Sequence, residues 1–205
     1  MNRFLRVGLL FVMGLVPVLL IAQGPPVMPQ FSADMKVTSP KSPQPMTGQI
    51  FFDKGRTRMD MSMGQQKVSV ITDPATQKSI MLMHTQKFYM ENSTGGGFGG
   101  FKFPDAHPYD PDHPCANQQG TTCKKVGTET VNGRVCDKWL FTDAKGAQTT
   151  VWVDQKLFFP IKTINSDDSS FELSNIKEGA PDPSLFTIPD GYRKFDMGGM
   201  MGNRR

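Results

Sequence analysis

The 205-residue chain carries Lys+Arg 23 against Asp+Glu 19, a net charge of +4, with three cysteines and three histidines. Removing Arg3 and Arg6 with an N-terminal leader lowers the charge to +2, which is too weak and too dispersed for a nucleic-acid partner. What is left, about 180 residues, suffices for one domain with a sizeable core.

Residues 1–6 hold Arg3 and Arg6, and residues 7–21 form an apolar run broken only by Gly8, Gly14 and Pro17. Ala22 is a small residue suited to cleavage, and Gln23-Gly24-Pro25-Pro26 ends the helix. Residues 1–22 therefore read as a secretory signal peptide, the alternative being an uncleaved anchor. Leu20 departs from the small-residue pattern before a cleavage point, so the cut itself stays open. No cysteine follows the apolar run, which argues against lipid attachment of the bacterial lipoprotein kind. Export places the mature chain in the periplasm or the medium.

Residues 23–30 are proline-rich and read as a flexible lead-in to a domain over 31–195. Residues 31–38 alternate in hydrophobicity and predict a half-buried strand. Residues 39–45 hold three prolines and predict a loop. Residues 49–53 start a meander, with Lys54-Gly55 as its first turn. In the next strand Met59, Met61 and Met63 share one face, and Arg56, Arg58 and Asp60 share the other, where Arg58 and Asp60 are expected to pair with neighbouring strands in water. Residues 67–72 contribute Val68 and Val70 before the Asp73-Pro74 turn, and residues 78–84 contribute Met81 and Met83. Gln86-Lys87 then leads into residues 88–90. Connections this short join only antiparallel neighbours.

From 92 to 125 the pattern vanishes. Glycines punctuated by Phe98, Phe101 and Phe103 give way to prolines and polar residues, as either a lid over the apolar face or a surface excursion. Strands return at 126–131 and 134–142, divided by Asn132-Gly133, the strongest short hairpin signal. Residues 147–153, 159–164 and 169–176 follow, separated by turns at Lys145-Gly146 and 154–156. Residues 181–186 predict one helical turn, with Asp182 as cap and Pro183 in the first position. The Gly/Met-rich residues 196–205 read as a disordered tail. No long amphipathic helix is expected, so the fold class is mainly β, a single strongly curved antiparallel sheet with little helix.

Three cysteines in an exported chain imply one disulfide and one remaining thiol. A Cys115–Cys123 bridge closes a small ring within the loop and leaves Cys136 as a small buried hydrophobe. The rival pairing, Cys123 with Cys136, ties the loop to the sheet.

Three stretches carry a family resemblance. Residues 35–63 end in Arg56-Thr57-Arg58-Met59-Asp60-Met61, residues 124–134 form the central hairpin followed by Cys136 and Lys138-Trp139, and Val151-Trp152-Val153-Asp154 leads to Pro160-Ile161-Lys162. Glu172-Leu173-Ser174-Asn175-Ile176 and Pro189-Asp190-Gly191-Tyr192 complete the last stretch. The chain resembles the DUF4412-type exported proteins, grouped with the lipoprotein-carrier (LolA/LolB-like) superfamily. The resemblance implies a half-open β-barrel whose concave side takes up acyl chains or other apolar matter, although the sequence offers no convincing counterpart to the helices that cover that side in the carriers.

Chemistry points the same way. The chain has no Gly-x-Ser-x-Gly, phosphate-cradling loop or His-Glu-x-x-His, so an enzyme is not expected, nor any cofactor. The leading expectation is a monomeric binder of an apolar ligand, a lipid or lipoprotein acyl chain, with at most transient membrane contact. Met59, Met61, Met63, Val68, Val70, Met81 and Met83 line its surface, and Phe98, Phe101 and Phe103 close over it. An envelope interaction module whose face is a filled core is the alternative. A third reading is a Cu(I) protein using Met59, Met61, Met63, Met81, Met83 and His84, with the tail methionines Met197, Met200 and Met201. Asp105, His107, Asp110, Asp112 and His113 are hard and imidazole ligands for zinc or calcium, but without a recognised spacing.

Overall fold

In the computed structural model, residues 29–63, 65–93 and 120–195 are described, apart from the side chains of Pro43, Met63 and Ser93. A first meander comprises β1 (Gln30–Ser39), β2 (Ser42–Asp53), β3 (Arg56–Met63), β4 (Gln66–Asp73), β5 (Lys78–Met83) and β6 (Phe88–Ser93). A second comprises β7 (Thr122–Val131), β8 (Arg134–Thr142), β9 (Gln148–Asp154), β10 (Phe159–Ile164) and β11 (Ser170–Glu178). A 3-10 turn, Pro183–Phe186, and the short β12 (Arg193–Lys194) end the described chain. Antiparallel pairing of β1 with β11 unites the meanders in one twelve-stranded sheet, ordered β12-β6-β5-β4-β3-β2-β1-β11-β10-β9-β8-β7, which does not close into a barrel.

The expectation of a purely antiparallel sheet needs one correction. β12 runs parallel to β6, with Arg193 opposite Phe88 and Lys194 opposite Tyr89. Parallel addition needs a long crossover, and the segment between β11 and β12 supplies it. Two boundaries also move. β2 begins at Ser42, inside the stretch expected to be a loop. Residues preceding Gly48 pair only with β1, since β3 joins from Gly48 onward, and a strand with one open side tolerates prolines that donate no hydrogen bond. β7 begins at Thr122 and not at 126, so Cys123 is a strand residue. β7 is an exposed edge with a register shift between Lys125 and Gly127, and there the hydrophobic period that marks a half-buried strand is missing.

The sheet is strongly curved. β2 and β10 stand three strands apart, about 14 Å along a flat sheet. Yet the Phe52 and Phe159 ring centroids are 5.1 Å apart, and Phe31 lies 5.6 Å from Phe52 and 5.0 Å from Phe159. This aromatic trio is fully buried at the centre of the inner face. Burial of each ring contributes about 1.5–3 kcal/mol, which drives the curl.

Register then sets two rows across the inner face. One runs Ala33, Ile50, Met59, Val70, Met81, Met90, and the other Met35, Gly48, Met61, Val68, Met83, Phe88. Gly48 is dictated by space, because a Cβ there would lie 2.2 Å from the Asp60 carbonyl oxygen and 3.3 Å from Met61 Cγ. The β7–β8 turn is the expected Asn132-Gly133, with φ of 49° and 79°.

Gly48→Ala forces β2 away from β3. It should cost about 2–4 kcal/mol in urea unfolding, and a loss within a few tenths of a kcal/mol would show that the strands yield freely.

Candidate functional site

The two rows bring together six of the residues expected to line the apolar face, and they do so unevenly. Met59, Met61, Val68 and Val70 are each 8% exposed or less and pack with Phe31, Phe52 and Leu173 in one core. The centre of the face is therefore filled by the protein itself. Met81 and Met83 are only half-buried, as are their neighbours Phe88 and Met90 on β6, which the sequence reading left out. Together these four make an apolar strip continuous with the core through Met81. The Met63 side chain, Phe98, Phe101, Phe103 and Cys115 lie outside the described residues, as do residues 1–28 and 196–205 and the expected zinc or calcium ligands.

The outer face carries what the sequence did not disclose. Arg58, expected in water, is only 7% exposed. The segment after β11 crosses this face and packs Leu185, Phe186, Ile188 and Tyr192 against Ile71, Leu82, Phe51, Ile80 and Tyr89. Arg56 stacks over the Phe186 ring at 4.7 Å. Arg58 donates from Nε to Asp60 Oδ1 (2.6 Å), from Nη1 to the Leu185 carbonyl (2.7 Å) and from Nη2 to Ser69 Oγ (3.0 Å). Ser69 Oγ also meets Asp60 Oδ1 and His84 Nε2, both at 2.6 Å, and His84 Nδ1 meets the Tyr192 hydroxyl at 2.5 Å.

Proton counting assigns this network. The single Ser69 proton goes to Asp60, so Ser69 Oγ accepts from both Arg58 and the Nε2–H of His84. Nδ1 of the neutral imidazole then accepts from Tyr192. Ser, His and Asp meet here without the geometry of a hydrolytic triad. Ser69 has no exposed surface, its proton faces Asp60, and Nδ1 of His84 turns to a tyrosine and not to a carboxylate. The network is a clasp that holds the C-terminal segment to the sheet. It also takes His84 to the face opposite Met81 and Met83, so His84 does not complete a thioether set. Among the described residues no group of three or more His, Cys, Asp or Glu could hold a metal ion.

A second buried carboxylate organises the other meander. Asp154, 1% exposed, accepts from both Arg134 nitrogens and from the backbone N–H groups of Lys156 (2.9 Å) and Leu157 (2.7 Å). Burial works to raise its pKa, but Arg134 and these amides hold it below the usual carboxylate value. Arg134 also reaches Glu178 at 3.0 Å, joining β8, the β9–β10 turn and β11. Cys136 is free and fully buried, and burial pushes its thiol pKa up to about 11. The rival Cys123–Cys136 bridge is thereby excluded.

Residues 32–158 match the model of the family described as Domain of unknown function (DUF4412). Among solved structures the chain is similar to MucB at 14% identity and a TM-score of 0.57, over 80% of this chain and 58% of that one. It is similar also to MucB in the Pseudomonas aeruginosa MucA/MucB complex, at 15% identity and a TM-score of 0.53, over 80% and 56%. An uncharacterized conserved protein from Thermus thermophilus matches at 6% identity and a TM-score of 0.56, over 82% and 91%. This chain thus spans somewhat over half the length of MucB, and at these identities the likeness is one of fold. No curated protein sequence matches it.

Burial, then the Arg58 charge, hold the His84 pKa below its usual 6.5. The unfolded chain therefore takes up a proton first, so the contribution of His84 is full above pH 6.5 and is lost as the pH falls through the lower folded value. Wild-type stability in urea should decline from pH 7 to 5, and His84→Gln should remove that slope. Tyr192→Phe should cost about 1–2 kcal/mol at neutral pH. An unchanged slope in His84→Gln would assign the decline to other groups.

Proposed function

The chain belongs to the DUF4412 family, and we propose that it is an exported, non-enzymatic binder of an apolar ligand, a lipid or lipoprotein acyl chain. The observation that carries this reading is the half-buried strip of Met81, Met83, Phe88 and Met90 beside the buried core of the inner face. Thioether side chains are flexible and polarisable, so they accommodate a chain of no fixed shape. Met59, Met61, Val68 and Val70 form the floor from which the strip extends. In this reading Met63 continues the floor, and Phe98, Phe101 and Phe103 close over the strip. A Cys115–Cys123 bridge fastens the end of that lid to edge strand β7, since Cys136 is free. Residues 1–22 direct export to the periplasm or medium, and contact with a membrane is transient.

A second reading is favoured by the filled centre of the face and by the fold shared with MucB, a protein solved in complex with MucA. Here the sheet is an envelope interaction module and its methionines are core.

Native mass spectrometry of protein purified from the periplasm without detergent separates the two. The binder should carry masses in the phospholipid or lipoprotein range that organic extraction removes. Met83→Asp, at a half-buried position, should lose that cargo and stay folded, whereas Met59→Asp, 4% exposed, should cost about 3 kcal/mol or more. A clean mass with no lipid taken up from vesicles leaves the interaction module. Peptide mapping without reductant should also yield a 115–123 cross-link.

A further inference from the structure

The strip ends at a cation that the fold holds in place and that has no carboxylate partner among the described residues. Arg193 of β12 lies opposite Phe88 with its guanidinium 5.5 Å from the ring centroid, and Phe195 covers the same ring at 5.9 Å. Residues on both sides of Arg193 are tied to the outer face. Tyr192 bonds His84, and Lys194 pairs with Glu91 at 2.6 Å. Backbone bonds from the N–H groups of Arg193 and Phe195 to the Lys87 and Tyr89 carbonyls fix the strand itself. Strand alternation then turns Arg193 and Phe195 to the inner face. Arg193 is exposed and, among the described residues, has no carboxylate partner, whereas Arg56, Arg58 and Arg134 all do.

We infer that Arg193 anchors the anionic head of the bound molecule, which is a single acyl chain ending in a carboxylate. This rests on the strip being the ligand site. A guanidinium presents two parallel donors to a carboxylate, and its place over the Phe88 ring leaves those edge donors free. The strip is two strands wide, and the furrow between them, about 5 Å from one strand axis to the next, takes one hydrocarbon chain lying along it. Head and tail are thus read by adjacent residues. Arg193 takes the charge, and Phe88, Met83, Met81 and Met90 take the chain.

The test uses laurate, methyl laurate and phosphatidylglycerol vesicles with the full mature protein at pH 8, where a carboxylate is ionised. Laurate should bind at least about tenfold more tightly than its ester, the difference one charge-assisted pair supplies. Arg193→Gln should bring laurate to the level of the ester, and Arg193→Lys should keep part of the preference. Equal binding of acid and ester, or a preference that survives Arg193→Gln, overturns the anchor and leaves the apolar site standing. Preference for the vesicles over laurate overturns the single chain. Binding of neither laurate nor ester overturns the apolar site, and the anchor with it.

Discussion

The ladder between β1 and β11 is the constraint on which the rest of the structure depends. Each meander forms from short local connections, but among the described residues neither has a second sheet or helical layer against which to bury its inner face. Pairing the first strand with the last long one puts β1 in the middle of the sheet, bonded on both sides. Phe31 then meets Phe52 on one side and Phe159 on the other, and the sheet bends around that contact. The bend removes the need for a covering layer at the centre. Its cost falls at the rims, where β6 and β7 stand far apart in strand order although they follow each other in the chain.

What was legible in the sequence is what has a short period. Alternation in residues 31–38 and 56–63 gave the strands and their faces, and Asn132-Gly133 gave the hairpin, because these depend on residues one or two apart. The single curved sheet followed, as did the rows of Met59, Met61, Val68, Val70, Met81 and Met83. The remainder depends on residues distant in sequence. Nothing near Arg58 indicates that a carbonyl 127 residues later will cover it, or that Tyr192 will reach His84 across 108 residues. A charged pair on a strand reads as solvated until the segment that buries it is placed. Likewise β2 reads as a loop through its prolines until it is known which of its sides is open.

The methionines divide by the same logic. Met61 shares a row with Gly48, which has no side chain to oppose it, and an unbranched thioether fills such irregular space without strain. Met59 stands between Ile50 and Val70, where it is core. Met81 and Met83 lie on the next strand but one from Met59 and Met61, and among the described residues nothing covers them as fully, for they are half-buried. One residue type thus serves two environments. Position within the curl, and not composition, separates filled from half-open surface.

The C-terminal segment joins these environments to the polar network. Tyr192 is held on the outer face by His84, and Arg193, the next residue, turns inward over Phe88. On an extended strand the two side chains cannot be moved independently, because rotating one outward rotates its neighbour inward. The Arg58, Ser69 and His84 bonds therefore do more than close a buried face. They hold the segment that leads into β12 against the opposite side of the sheet. Protonating His84 removes the acceptor for the Tyr192 hydroxyl, while the two backbone bonds to β6, the Lys194–Glu91 pair and the packing of Tyr192 on the outer face still hold β12 to the sheet. Consecutive residues of β12 thus serve opposite faces of the sheet.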